Sequence, residues 1–317
     1  MGNADDHFTD FIAKTSFLKS EMLKSIRQYF YSTDLDEVIC PSITNNNCEG
    51  GSDSFSVTST NEKWGQSVYL TVSRQLHLEM ATNNRRGVFS IGPVFRAEKH
   101  DSRRHLSEFT MAEVELPSIS TLDALINHCE NCLRFSYQRI ITTCPDRLHE
   151  EYTKLIQNPS EIITYDESIR ILQKIDPLLK WGHSFNSSQE IKLSEYFGHR
   201  ILFIINYPSE IKPFYMKKME LSGSRSVAQC FDCIMPNMGE IAGGSIREDN
   251  AASLISSMKT KGIHQPNLEW YVNLRKMGRP STGGYGIGIE RLLAEMSGFK
   301  NIRQACMFPR DRGSIKY

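Results

Sequence analysis

Long apolar runs, an excess of either charge and a dense set of cysteines are all missing from this sequence, and each absence removes a class of protein. Its 317 residues carry 37 Lys and Arg against 37 Asp and Glu, a formal net charge of zero. Such a balance gives no drive toward indiscriminate nucleic-acid binding, although a local basic face stays open and RNA is not excluded. No stretch approaches the roughly 18 uninterrupted apolar residues of a membrane span. The best run, from Ile201 to Ile205, has the length of a strand. The amino terminus, Met1 to His7, is acidic and has no apolar signal core, and Asp6 stands where a myristoylation signal has Ser or Thr. No membrane partner and a cytoplasmic address are therefore expected. Eight cysteines are too dilute for a disulfide scaffold. With 39% hydrophobic and 23% charged residues the composition is that of a globular chain. At this length folding buries ~75% of the unfolded surface.

Two Cys-x-x-Cys pairs test for zinc. Cys129 and Cys132 fall on a helical stripe with Leu122, Leu125, Ile126 and Leu133, which reads as core-facing. Cys230 and Cys233 lie in a strand-like run from Val227 to Met235, where residues three apart point to opposite faces. Both pairs read as buried thiols.

Residues 9–30 read as an amphipathic helix with Leu18, Met22, Ile26 and Phe30 on one face. A short strand at 36–40 ends at Pro41, and the polar segment 45–51 reads as a loop. Strand-like runs at 67–72 and 88–95 bracket a helical 75–83. A charged stretch, 96–108, leads to a strand at 109–116 and a long helix from Leu122. Residues 145–195 carry weak signals and read as a possible insertion. Strand character resumes at 200–216 and 226–247, and a glycine-rich strand precedes a final helix at 290–297. Strands among helices without regular βα alternation predict an α+β fold with a mostly antiparallel sheet, in one domain over 1–317.

Three constellations carry chemistry. In the first, Phe95, Arg96, Ala97 and Glu98 are followed by Arg103, Arg104, His105 and Phe109. Arg96 ends an apolar strand, so its planar fork projects from a rigid element and suits a phosphate. The charged loop can wrap a triphosphate tail, and Phe109 offers a flat face to an adenine. A solvated hairpin accounts for the same run. The second is 283–291, GGYGIGIER. Its spacing is neither a dinucleotide fingerprint nor a P-loop. Glycines at alternate positions strip one face of a strand so that a ligand can lie against the backbone, and Arg291 enters the first turn of a helix near its positive end. Tight strand–helix packing is the plainer alternative. The third sets Asp232 and Glu240 on either side of a Pro-Asn turn, ahead of Ser245 and Arg247. If the hairpin closes, the two carboxylates converge as hard oxygen ligands for Mg²⁺.

Together these elements resemble motifs 2 and 3 of the class II aminoacyl-tRNA synthetases, with Pro41 where motif 1 ends in proline. The stretches 70–79 (LTVSRQLHLE), 95–98 (FRAE), 104–110 (RHLSEFT), 210–216 (EIKPFYM), 235–247 (MPNMGEIAGGSIR) and 283–291 look most like the asparaginyl members of the aspartate, asparagine and lysine subgroup. The resemblance implies that Arg96 contacts the α-phosphate of ATP and the amino-acid carboxylate, and that Glu98 and Phe109 hold the adenine. It implies that His105 and Arg291 grip the outer phosphates, with Arg104 and Gly288 in the same ATP site, and that Asp232 and Glu240 bind Mg²⁺. Glu49, Gln75 and Glu113 would surround the substrate ammonium, and Arg247, beside Ser245, would donate to the side-chain carbonyl oxygen. Glu79 would read the amide NH₂. A carboxylate there disfavours aspartate by like-charge repulsion, so asparagine is the expected substrate and aspartate the second choice. The implied reaction is attack of the amino-acid carboxylate on the α-phosphorus, with Arg96 and Arg291 as catalytic cations, and the motif 1 resemblance implies a homodimer with residues around 20–45 buried between the subunits.

Two departures shape this expectation. Family members of full length carry an N-terminal β-barrel that reads the anticodon, and no such barrel is expected between residue 1 and motif 1. Stand-alone paralogues resemble this arrangement, among them ammonia-dependent asparagine synthetases. The acceptor thus stays open between the tRNA acceptor end and ammonia, and a catalytically idle regulatory paralogue is the third alternative. Thr282 also stands where the family usually has histidine.

Overall fold

The computed structural model describes residues 2–45, 54–59, 64, 67–82, 86–97, 102–144, 148, 150–221, 225–263 and 265–311. Helix α1 (Gly2–Ser32) is followed by strand β1 (Leu35–Glu37) and the small pair β2 (Ile43–Thr44) and β3 (Tyr69–Leu70). Helix α2 (Gln75–Ala81), the hairpin β4 (Gly87–Phe95) and β5 (Glu108–Pro117), and helix α3 (Leu122–Thr143) come next. Then follow α4 (Glu150–Gln157), β6 (Glu161–Thr164), α5 (Tyr165–Gln173), α6 (Ser187–Tyr196) and β7 (Leu202–Ile205). Strands β8 (Lys218–Leu221), β9 (Arg225–Ala228), β10 (Cys230–Met235) and β11 (Gly239–Ile246) lead to helices α7 (Ala251–Thr260) and α8 (Glu269–Lys276). Strand β12 (Thr282–Gly288) runs directly into α9 (Ile289–Met296).

Eight strands form one sheet in the order β1-β4-β5-β12-β11-β10-β7-β6. The two edge pairings, β1 with β4 and β6 with β7, are parallel, and the inner ones are antiparallel. The α+β class with a mostly antiparallel sheet therefore holds. One face of the sheet is closed by α1 and α3, whose Leu18, Met22, Ile26 and Phe30 meet Leu125, Ile126, Cys129 and Cys132 over Phe89, Val114, Tyr285 and Ile287. Strand β10 shows the two-sidedness directly. Phe231, Cys233 and Met235 belong to this core, whereas Cys230 and Ile234 belong to a second cluster on the other face with Tyr165, Leu202 and Ile204. Cys230 and Cys233 do point apart, as alternation requires.

Segment 145–200 is woven into this frame. Tyr152, Leu155 and Ile156 of α4 enter the main core, and β6 is an edge strand of the main sheet. The expected strand at 200–216 is cut to β7, because Pro208 and Pro213 interrupt it and a 3₁₀ turn forms at Ser209–Ile211. The run from Val227 to Met235 is likewise two strands: β9 pairs with β8 in its own small sheet, and the chain joins the main sheet only at Cys230.

Candidate active site

The face of the sheet away from α1 and α3 holds a cavity of about 200 Å³. Register puts its floor together. Gly284, Gly286 and Gly288 of β12 lie opposite Glu115, Glu113 and Met111 of β5, and Gly243 and Ser245 of β11 lie opposite Gly286 and Gly284. Directly opposed residues share a face, so acids and bare backbone alternate across it. Tyr285 and Ile287, one step away, point into the core. A side chain at position 284 would run into the Glu115 carboxylate, the Val114 carbonyl and the Arg247 guanidinium.

The cavity brings together Gln75, Arg96, Arg104, His105, Phe109, Glu113, Asp232, Glu240, Arg247, Gly288 and Arg291. Glu49 and Glu98 lie outside the described residues. At one end the Arg96 guanidinium carbon sits 5.3 Å from the Phe109 ring centre. His105 Nδ1 lies 2.6 Å from Ser102 Oγ. Arg291 donates to the main-chain oxygens of Glu240 at 2.8 Å and Arg104 at 3.3 Å. Burial, joined by the neighbouring Arg104 and Arg96, lowers the Arg291 pKa from its ordinary value, against the opposing pull of Glu240 and Glu190.

A β-bulge aims Glu240. The register of β10 against β11 slips between Cys233 and Ile234, so that Ile234, instead of Met235, faces Glu240. The extra residue turns Glu240 onto the face of Asp232, and both carboxylates converge above Gly243. A Cβ there would lie 3.2 Å from Glu240 Oε1 and 3.4 Å from Asp232 Oδ1. Burial alone would raise Glu240, but Arg291, Lys212, Arg96 and Arg104 together hold its carboxyl below the usual range. Lys212 Nζ donates to Asp232 at 2.6 and 2.8 Å and sits 3.9 Å from the Tyr207 ring centre. Its burial opposes its charge, but Asp232 outweighs that and raises the ammonium above its ordinary value.

At the other end Arg247, 2% exposed, donates through Nε and Nη2 to Glu115 at 2.8–3.2 Å and through Nη1 to Ser245 Oγ at 2.5 Å. With its amide oxygen turned toward the guanidinium, Gln75 accepts at 2.8 Å. Glu113 accepts from Ser73 Oγ at 2.5 Å and from the Arg74 N–H at 3.0 Å. Ser245 supports Arg247 from beneath and does not line the cavity.

Glu79 is the expected residue that the fold diverts. It stands one turn beyond Gln75 on α2, where Arg275 of α8 pairs with its carboxylate and the Tyr271 hydroxyl donates to it. It lines a separate cavity of about 20 Å³ with Arg247, Arg275 and Thr282. Thr282 borders the same small space, and its buried hydroxyl has no partner among the described residues. Sequence reasoning passed over Lys212, although a lysine within the aromatic run of 210–216 was a usable signal. It also missed Glu115, Glu190 and Glu290, whose partners are remote in sequence. Glu290 accepts from Thr110 N at 2.8 Å and Lys19 Nζ at 2.7 Å, tying α9 to β5 and α1.

The family model for class II tRNA synthetases (D, K and N) matches residues 6–312. The chain belongs to the class II aminoacyl-tRNA synthetases. Among relatives of this synthetase, the probable mitochondrial asparagine–tRNA ligase of Dictyostelium discoideum is 33% identical over 95% of this chain and 69% of its own length. The mitochondrial asparagine–tRNA ligase of Schizosaccharomyces pombe is 34% identical over 94% and 68%. Among solved structures, asparaginyl-tRNA synthetase from Pyrococcus horikoshii complexed with asparaginyl-adenylate superposes with a TM-score of 0.88 at 32% identity. It covers 96% of this synthetase and 70% of that chain. Among the described residues of this synthetase, no helix is long and apolar enough to cross a membrane.

Proposed function

We propose that this synthetase uses ATP to convert asparagine to asparaginyl-adenylate and passes the asparaginyl group to tRNA, acting as a homodimer in the cytoplasm. The observation that carries the choice of amino acid is the Arg247–Glu115 pair. Glu115 already neutralises the guanidinium, so an asparagine carbonyl oxygen accepts a hydrogen bond there without changing the local charge. An aspartate carboxylate would bring an uncompensated negative charge into a buried site. In this role Arg247 reads the side chain, Gln75 and Glu113 hold the ammonium, and Glu79 acts only at a distance by anchoring α2 to α8.

At the other end Arg96 holds the α-phosphate and Phe109 stacks on the adenine, while His105, Arg104 and Arg291 hold the outer phosphates against the Gly288 backbone. A carboxylate oxygen of asparagine forms a bond to the α-phosphorus as the bond to the bridging oxygen breaks and pyrophosphate leaves. The nucleophile is already ionised, so no general base takes part. Alignment and charge neutralisation by Arg96 and Arg291 lower the barrier. A hydroxyl at the tRNA 3′ end then attacks the acyl carbon and AMP departs. Asp232 and Glu240 fit a divalent cation: both are hard oxygen donors, and they converge over a glycine where a Cβ would close the space. They would hold Mg²⁺, which would supply charge neutralisation on the leaving pyrophosphate. For the dimer, apolar Tyr31, Ile39 and Ile43 stand exposed around edge strand β1, Ile39 at 98%.

Amino-acid-dependent ATP–pyrophosphate exchange across all twenty amino acids tests this function. Exchange with asparagine, and asparaginyl-tRNA formed from it, is expected. No exchange with any amino acid, or free asparagine made from aspartate and ammonium, overturns it.

A further inference from the structure

Helix α6 comes from segment 145–195, which neither the sequence motifs nor the proposed reaction uses. A reciprocal cap starts it: the Asn186 side chain accepts from Gln189 N, and the Gln189 side chain accepts from Asn186 N, each at 3.0 Å. The next residue, Glu190, reaches over the turn between β10 and β11. Its Oε2 accepts from Arg104 Nη2 at 2.8 Å and from the Glu240 N–H at 3.3 Å. Both partners of the ion pair are nearly shut off from solvent, the side chains being 5% and 13% exposed.

Gly239 sits in the left-handed region at φ 67°, and a side chain there would strike both Glu190 and Arg104. The turn is thus pressed against the pair. Arg104 lines the cavity, yet its Nε and Nη1 are buried with no acceptor among the described residues. Buried charged donors left unsatisfied are costly, and such a group persists where a ligand supplies the acceptors. Arg291 ties the same knot from the other side through the main-chain oxygens of Arg104 and Glu240.

We infer that Glu190 is a positioning residue for the triphosphate end of the cleft, holding one edge of Arg104 so that its remaining N–H groups face the outer phosphate oxygens of ATP. Resting on the proposed ATP site, this gives segment 145–195 a part in nucleotide binding. It predicts a loss confined to ligands that carry a phosphoanhydride or pyrophosphate group. Asparagine and AMP carry no outer phosphates for Arg104 to hold, so their binding is expected to be unaffected.

Calorimetry with ATP, inorganic pyrophosphate, AMP and asparagine on the whole chain tests it. Glu190→Ala is expected to weaken ATP and pyrophosphate ~10-fold or more, the scale of one lost charge-assisted contact. Its AMP and asparagine affinities should match the parent's. Glu190→Gln keeps an acceptor for Arg104 and is expected to restore ATP binding to within ~3-fold. In an Arg104→Met background, Glu190→Ala should cost nothing further toward ATP. Should the alanine variant fail to fold, Glu190→Asp, which withdraws the carboxylate by one methylene, carries the same comparison of ATP with AMP. Equal weakening of ATP and AMP, or ATP binding that survives Glu190→Ala, overturns the inference. A parent protein that binds no ATP overturns the ATP site itself.

Discussion

The two ends of the cleft follow opposite electrostatic plans. At the amino-acid end, among the described residues, the charged side chains are paired before any substrate arrives: Arg247 with Glu115, Arg275 with Glu79, Glu113 with Arg74. At the phosphate end Arg96, Arg104 and Arg291 crowd together around Glu240, with Glu190 on one edge of Arg104, and among the described residues Arg104 keeps two buried donors without an acceptor. A neutral side chain can be selected by geometry alone, whereas a polyanion requires standing positive charge. The difference shows how one sheet face serves two ligands of unlike charge.

Breaking the phosphate end should have the largest effect. Arg96→Ala is expected to lower asparagine-dependent pyrophosphate exchange by ~10³-fold or more, to background, since it removes a donor that acts on the developing charge. Exchange near the parent rate would show that Arg96 is not at the reacting phosphate. At the other end, Glu115→Ala leaves Arg247 buried without its partner, a loss of about 3–5 kcal/mol. Thermal unfolding should register it, and in the protein that still folds, exchange should shift from asparagine toward aspartate. Unaltered selectivity would remove the charge-compensation argument.

A control for both ends lies on the far face of the sheet. His128 Nδ1 is 2.9 Å from the Tyr285 hydroxyl, and burial pulls its pKa down to about 4 from 6.5. The unfolded chain therefore takes up the proton first. The stability that goes with neutral His128 is complete above pH 6.5 and is lost as pH falls toward 4, by about 3 kcal/mol in full. Melting temperature followed from pH 7 to 5 should fall more steeply for the parent than for His128→Asn, and parallel curves would refute the assignment. The smallest effect is expected from Gly284→Ala, which adds one methyl where Glu115, Val114 and Arg247 crowd together. Overpacking there should destabilise by about 1–3 kcal/mol and raise KM for asparagine more than for ATP, since the added methyl lies at the amino-acid end. An equal rise for both would place position 284 outside that end.

Much of this was legible from residue order. The stripe of Leu18, Met22, Ile26 and Phe30 predicts α1 and its buried face, and the alternating glycines of 283–288 predict a strand with one stripped side. Arg96 at the end of an apolar strand correctly places a cation on a rigid rim. Other parts were not legible. Glu79 looks equivalent to Gln75 along α2, and only the arrival of Arg275 from α8 turns its carboxylate away from the large cavity. Glu190 carries no motif, because its meaning lies in Arg104, which is 86 positions away in the chain.

What residue order determined by itself was periodicity: which positions are apolar, which strand is bare, where rigid elements place arginines, and hence the α+β class, while the family came from the resemblance of its motifs. These are local properties, set by side-chain volume and backbone geometry over a few residues. Only the tertiary structure decided which charges meet. A one-residue bulge brings Glu240 to the side of Asp232, and separate helices deliver Glu190 to Arg104 and Arg275 to Glu79. Ion pairing depends on distance in space, and no spacing along the chain encodes that distance until the sheet has closed.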